Sequence, residues 1–441
     1  MKEGVHMKLH LIAPTKRRGT YFTYFFNRGF FPPLSLMCVA AYTPKEVEVR
    51  LIDENVERID FADVPDLVGI TTMTDTALRA YEIAERYREL GAKVVLGGIH
   101  ASMVPEEAME HADSVVVGEA EAIWPRVISD AEAHQLEPLY KQEDFIDFKR
   151  PLLSRRDIID PNRYWTANGI QTSRGCPYNC SFCSVAAFNG HRIRERELDN
   201  VLAEVESVSR SNVGRRKLIP FVDDNIAASP SRAKELFKAL IPMKIVWGSQ
   251  ACITFANDEE LVDLAAKSGC CFLCIGLEAL SPHALAEMGK HQNKVEQYEN
   301  ALRLLKKYGI QVLGAFVFGS DSDEESVFSD TLEFAMRNRL ALAHFSILTP
   351  YPGTRLYHQL LGENRLEPRF WLDSSWESRA VFKPKKISAK RLCEYTYRVR
   401  QDFYSSRSII KRISLCRYWN YWLAANLILR REARLPSHQT V

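Results

Sequence analysis

The run Cys176-Pro177-Tyr178-Asn179-Cys180-Ser181-Phe182-Cys183 brings three thiols into eight residues. Closely spaced thiolates can each take one iron of a cubane 4Fe–4S cluster, which proteins usually hold with four such ligands. The next cysteine along the chain is Cys252, so the fourth iron would stay open to a small chelating ligand. Zinc is the competing reading, with His191 as a nearby fourth donor. Zinc sites, however, usually join two separated pairs of ligands. Cys270, Cys271 and Cys274 lie on or beside an apolar run and read as small buried hydrophobes.

These thiols need a scaffold, and the surrounding sequence supplies one. The cysteine loop follows a short strand at 169–172. Strands are then expected at 217–222, 246–253, 271–277, 312–318 and 343–348. Helical patterns separate them at 198–208, 231–240, 259–267, 299–308 and 323–338. Six strand–helix units of this kind make a partial (β/α)6 barrel, whose functional groups gather at the carboxyl ends of the strands. The polar residues at those ends are Asp223, Asp224, Asn225, Gln250, Glu278 and Ser320, with Gly319 beside the last.

The first third alternates in the same way. Strands are expected at 8–13, 47–52, 67–71, 93–96 and 115–117, with a helix at 77–90 stopped by Gly91. That order implies an open, doubly wound parallel sheet with its ligand at the carboxyl edge. Thr71-Thr72, Gly97-Gly98 with His100, and Gly118-Glu119 occupy that edge. Glycine there admits a closely approaching ligand or simply makes a tight turn, and His100 suits a buried turn histidine as well as a binding group.

The motif C-x3-C-x-aromatic-C after a first strand resembles the radical S-adenosylmethionine (SAM) superfamily. That resemblance implies that Cys176, Cys180 and Cys183 hold the cluster and that SAM chelates the fourth iron. One electron would cleave SAM to methionine and a 5′-deoxyadenosyl radical. Phe182 would lie near the adenine. Glu278, the second-strand end at Asp223-Asp224, Gln250 and Gly319 would help to hold SAM. The usual Gly-Gly-Glu at the second strand is replaced by Asp223-Asp224-Asn225, which leaves the partner of the SAM amino group open.

Pro32-Pro33-Leu34, Leu51-Ile52-Asp53-Glu54-Asn55, Gly97-Gly98-Ile99-His100, Gly118-Glu119-Ala120-Glu121 and Pro350-Tyr351-Pro352-Gly353-Thr354 resemble the cobalamin-dependent members of that family. This implies a Rossmann-like cobalamin domain using Thr71, Thr72, Gly97, Gly98, His100, Gly118 and Glu119. No D-x-H-x-x-G motif supplies a histidine to cobalt. The implied reaction is methylation of an unactivated carbon in a pigment, lipid or other natural product. Rearrangement or cyclisation is the alternative within the family, and a non-catalytic iron–sulfur or cobalamin sensor is the alternative outside it. A flavodoxin or ferredoxin would supply the electron.

The expected layout is a cobalamin domain at 1–145, a linker at 146–165, the barrel at 166–360 and a basic helical region at 361–441. Of 441 residues, 46% are hydrophobic and 26% charged, as in ordinary globular chains. The net charge of +2 gives no global reason to expect nucleic acid, and no secretory leader or apolar span is expected, so a cytoplasmic protein is the default. The +2 conceals an asymmetry: residues 385–441 hold 13 basic and 3 acidic residues, a net of +10, and the remainder carries −8. Helices at 392–403 and 409–429 bear Tyr395, Tyr397, Trp419, Tyr421 and Trp422. Such segments either dock on the acidic remainder or rest peripherally on an anionic membrane surface.

Overall fold

In the computed structural model, the described residues are 7–16, 29–148, 154–210, 218–413 and 419–434. The chain divides into two units. The first comprises the described part of Met1–Gly169 with the short return Trp371–Ser374; the second holds the described residues from Ile170 onward apart from that return.

Six strands build the first sheet: β1 (Lys8–Ala13), β2 (Glu48–Asp53), β3 (Leu67–Thr71), β4 (Lys93–Gly97), β5 (Ser114–Val117) and β6 (Leu139–Lys141). All neighbours are parallel, in the order β2-β1-β3-β4-β5-β6. The order reverses between β1 and β3, the point at which open α/β sheets bind ligands. Leu9, Leu11, Val68, Val94, Leu96 and Val115 are buried, so both faces of the sheet are covered. The helix Ala77–Glu89 turns Ala80, Tyr81, Ile83, Ala84 and Tyr87 inward, matching the apolar spacing in the sequence.

The second unit opens with a two-residue antiparallel ribbon, β7 (Ser173–Arg174) against β8 (Arg194–Glu195). A parallel sheet follows: β9 (Leu218–Pro220), β10 (Val246–Ala251), β11 (Cys270–Glu278), β12 (Gln311–Phe318) and β13 (Leu342–Ile347), in strict chain order. The helices Leu198–Arg210, Pro230–Leu240, Glu259–Lys267, Tyr298–Lys307 and Ser326–Arg337 connect them, as the alternation required. The expected first barrel strand is reduced to one bridge, Ile170 to Phe221. The backbone N–H groups of Thr172 and Ser173 donate instead to the Asp223 carboxylate, so they are lost to strand pairing.

The barrel ends at β13, whose free edge the C-terminal region covers. Tyr404 Oη donates to the Ala343 carbonyl at 2.7 Å, and Arg400 Nε donates to the Phe345 carbonyl at 2.7 Å. Both come from or follow the helix Ala389–Phe403. Covering an edge strand in this way removes a template for unwanted pairing. The single helix expected at 409–429 is two, Ser406–Ile413 and Trp419–Glu432, and 414–418 lie outside the described residues. No helix among the described residues is long and apolar enough to cross a membrane.

Candidate cluster and cofactor site

The three cysteines sit in the loop between β7 and the short helix Ser184–Asn189, and all three are half-buried. Asp223 anchors the loop's start. Fully buried, it accepts from Thr172 N at 2.6 Å and Ser173 N at 3.2 Å, and from both their hydroxyls. Burial pushes its carboxyl up to about 6, against those hydrogen bonds. Asp224 accepts from Gly175 N at 2.8 Å and fixes the next turn. Gly175 has φ +88, and a Cβ there would strike the Arg192 carbonyl. The loop is closed on its other side by Arg355, which donates to the Asn179 carbonyl at 2.5 Å, and by Ser181 N, which donates to the Met288 carbonyl at 2.8 Å.

Each sulfur has donors close by. The Cys176 thiol faces the Tyr178 N–H, the Asn225 amide and the Cys252 thiol, and the last of these chiefly draws it below the usual thiol range. Gln292 Nε2 lies 3.8 Å from Cys180 Sγ. The N–H groups of Val185 and Ala186 approach the Cys183 sulfur without closing a full capping bond. Among the described residues, no three His, Cys, Asp or Glu side chains are grouped to hold a single metal ion. Thiolates that each meet a separate iron have no need of such a common point. The donor set of three reachable sulfurs with N–H groups around them fits a cubane cluster.

Beside Cys180 lies a buried ion pair, Glu278 with Lys290, both about 8% exposed at the side chain. Glu278 closes β11 with φ +64, a strained value for a residue with a Cβ. Gly276 makes room for the pair, since a Cβ there would fall on the Glu278 carboxylate and the Lys290 ammonium. Burial opposes the lysine charge, but Glu278, Cys252 and Cys180 together hold its pKa above the ordinary range. Sequence reading marked Glu278 and missed Lys290, which follows Gly289 in a loop with no periodic signal. Phe182 is half-buried in the cysteine loop and Gln250 is exposed on β10. Gly319 has φ +110 and donates its N–H to Asp323 at 2.8 Å. A Cβ on Gly319 would meet Leu392 and Phe382, so that glycine serves close packing.

In the first unit, the carboxyl ends of β3, β4 and β5 converge. Thr72 is buried; its N–H and hydroxyl both donate to the Gly97 carbonyl, at 2.7 and 2.8 Å, and its oxygens receive the N–H groups of His100 and Ala101. Gly98, at φ +96, passes so close to Thr72 that a Cβ would strike its backbone. His100 is fully buried, with Nδ1 3.2 Å from Thr74 Oγ1 and Nε2 3.6 Å from Glu107. Glu107 also accepts from Tyr81 Oη and from Trp371 Nε1 at 2.7 Å. Gly118 N donates to Ser102 Oγ at 3.0 Å, and Glu119 is bound to Gln142. Thr71, Gly97, Gly98 and Gly118 remain half-exposed at this edge, while Thr72, His100 and Glu119 are buried beneath it. A ledge of backbone and small side chains on polar supports fits a broad planar ring. Thr74, Ser102, Glu107 and Gln142 were missed in the sequence because each acts on a residue far along the chain.

An open parallel sheet whose order reverses between its first and third strands, joined in one chain to a half-barrel bearing a three-cysteine loop, defines a two-unit α/β enzyme of the radical SAM class. Residues 170–335 match the Radical SAM superfamily and residues 28–128 match the B12 binding domain. The bacteriochlorophyllide d C-12(1)-methyltransferase of Chlorobaculum tepidum is 32% identical over 393 residues, covering 86% of this chain and 84% of that protein. The bacteriochlorophyllide d C-8(2)-methyltransferase of the same organism is 31% identical over 342 residues, covering 74% and 75%. Among solved structures, the radical SAM methyltransferase TsrM of Kitasatospora setae superposes with a TM-score of 0.69 at 18% identity, over 98% of this chain and 99% of that one. The chain belongs to the cobalamin-dependent radical SAM methyltransferases. Its cofactors are a 4Fe–4S cluster, SAM and cobalamin.

Proposed function

We propose that this protein methylates an unactivated carbon of a large apolar ring system, a pigment of the kind for which its bacteriochlorophyllide relatives are named. When bound, the cluster, SAM and cobalamin supply one-electron cleavage of SAM and delivery of a methyl group to carbon. Cys176, Cys180 and Cys183 hold three irons, and the N–H groups around their sulfurs orient them. Glu278 and Lys290 would hold the SAM amino and carboxylate groups, since a preformed pair of opposite charges suits a zwitterionic ligand. Asp223 is saturated by Thr172 and Ser173 and holds the loop rather than the ligand. Asp224, Phe182 and Gln250 remain open to SAM. On the first unit, Thr71, Gly97, Gly98 and Gly118 receive the corrin ring, and Thr72, His100 and Glu119 stiffen the ledge beneath it.

The observation that carries the substrate class is the alternation along the barrel strands. Leu273, Ile275 and Leu277 of β11 are buried against the helices, whereas Phe272 and Cys274 are only half-buried. Leu313, Ala315 and Val317 of β12 repeat that half-buried pattern. Side chains that alternate with the helix-packed set face the inner wall of a barrel. That wall is apolar apart from Gln250, Glu278, Gln311, His344 and Ser346, and Glu278 lies at the end that meets the cysteine loop. It suits an extended apolar ligand with few polar anchors.

The test is anaerobic reconstitution with iron, sulfide and hydroxocobalamin. Reductive formation of 5′-deoxyadenosine is expected to vanish in Cys176→Ala, Cys180→Ala and Cys183→Ala. Parental SAM cleavage in those variants would remove the cluster assignment. SAM with an isotopically labelled methyl group, incubated with bacteriochlorophyllide d, is expected to label the pigment. Label-free rearrangement products would favour cyclisation instead. The electron comes from a small donor such as flavodoxin or ferredoxin, which a reduced flavodoxin supplied in place of a chemical reductant checks.

A further inference from the structure

β11 pairs with β12 in unbroken register from Phe272 to Gly276; Leu277 is then passed over, and Glu278 stands opposite Phe316. At this bulge Glu278 takes φ +64, and Ala279 N donates back to the Leu277 carbonyl at 2.9 Å. A three-residue turn closed around a positive φ is the rare, strained sense for a residue with a Cβ. Such backbone persists only where its surroundings over-determine it.

Asn293 and Tyr298 supply that hold, and both are buried, at 4% and 0% exposed. Asn293 Nδ2 donates to the Gly276 carbonyl at 3.0 Å and to the Leu277 carbonyl at 3.2 Å, and it lies 2.9 Å from Tyr298 Oη. Tyr298 Oη in turn donates to the Leu277 carbonyl at 2.8 Å. Asn293 acts on the other member of the ion pair too. Its backbone N–H donates to the Lys290 carbonyl at 3.1 Å and closes the turn that carries the lysine. One residue therefore fixes the backbone at both Glu278 and Lys290, whose charges meet beside Gly276.

We infer that Asn293, together with Tyr298, is a positioning residue for SAM: it holds Glu278 in its left-handed turn and Lys290 in its loop, so that the two charges are presented as a pair. The inference rests on the reading of that pair as the holder of the SAM amino and carboxylate groups. Without the amide and the phenol, Glu278 relaxes toward an ordinary φ and its carboxylate leaves the lysine. Charges fixed in advance bind a ligand without the cost of ordering them, so the loss falls on affinity.

The experiment compares the full-length parent with Asn293→Ala, Tyr298→Phe, Glu278→Gln and the double variant Tyr298→Phe/Glu278→Gln. Each is reconstituted anaerobically with iron and sulfide and matched for iron content. Binding of radiolabelled SAM is read by equilibrium dialysis without a reductant, so no turnover contributes. Asn293→Ala and Tyr298→Phe are expected to bind SAM about tenfold more weakly than the parent. The double variant is expected to bind no more weakly than Glu278→Gln alone, because the phenol acts through that carboxylate. Parental affinity in Asn293→Ala and Tyr298→Phe, even with a lowered Tm, would overturn the inference, since support of the fold alone has that signature. Losses that add in the double variant would overturn it as well, because Tyr298 would then act independently of Glu278. Tyr298→Phe keeps the buried ring and decides the matter where Asn293→Ala is too unstable to reconstitute. Parental affinity in Glu278→Gln would instead remove the reading of the ion pair, so the two failures are distinct.

Discussion

His10 sits at the centre of β1 with no exposed surface, and no hydrogen bond reaches either ring nitrogen. Its closest charged neighbour is Asp63, 3.5 Å from Nε2, with Lys8 and Arg50 also bound to that carboxylate. Burial lowers its pKa to about 4, against the pull of Asp63. A histidine depressed in the folded state binds fewer protons than the unfolded chain between that value and about 6.5, so stability falls as pH drops through that window. A shift of this size corresponds to roughly 3 kcal/mol. His10→Leu is expected to flatten the difference in unfolding free energy between pH 7 and pH 4.5 by about that amount or less, measured by urea titration. An unchanged pH dependence would show that His10 does not carry it. At this scale the sequence spoke unevenly. Cys176, Cys180 and Cys183 are legible because their chemistry is set by local spacing. Cys252, Lys290 and the support of His100 by Thr74 and Glu107 are not, because those contacts join strand ends, loops and short helices at separations that no helix or strand period marks.

At the scale of elements, the two sheets follow from alternation, and the expected strands, the first barrel strand aside, fall within a residue or two of their places, while the three-residue edge strand β6 was not expected. Leu67–Thr71 and the helix Glu259–Lys267 coincide with expectation. The first barrel strand departs, for a reason that no periodicity contains: one buried carboxylate captures the N–H groups that strand pairing would use. Asp223→Ala is expected to strand those donors and cost about 2–4 kcal/mol, as loss of a buried multidentate acceptor does. It should also lower iron retention, since the cysteine loop begins two residues beyond Ser173. Thermal unfolding and iron content of the reconstituted variant check both effects, and a variant as stable as the parent would show that the ladder can re-form. The C-terminal helices were legible as helices, and docking on the acidic remainder was one of their two expected roles, but the strand edge they cover was not legible. The carbonyls of β13 that Tyr404 and Arg400 satisfy cannot be inferred from the composition of the helix that covers them.

For the whole molecule, the charge asymmetry acquires a partial account. Lys385 pairs with Asp321 at 2.7 Å and Lys386 with Glu324 at 2.8 Å, and Arg391 meets Glu325, so part of the basic region is neutralised by acids of the second unit. Arg412 is buried, donating to the carbonyls of Leu340, Ala341 and Phe403 and lying 3.6 Å over the Phe403 ring. Ile410, Trp419, Tyr421 and Leu427 are among the exposed large hydrophobics, and Arg407 and Lys411, near Ile410, are exposed. Aromatic and basic residues together favour an anionic lipid surface. Flotation with phosphatidylglycerol vesicles at low salt is expected to carry the protein upward and to fail at high salt; no binding at low salt removes the membrane contact.

Trp371 bears on synthesis as well as on structure. Its indole donates to the carboxylate that flanks His100, yet it belongs by sequence to a return of the chain more than 260 positions after Glu107. A nascent chain emerging from the ribosome can therefore close its first sheet early but cannot finish that unit until residue 371 has left the exit tunnel. Through the intervening translation, Glu107 must wait with one acceptor turned to water. The corrin-binding unit is thus the first to begin folding and, in this one contact, among the last to be completed.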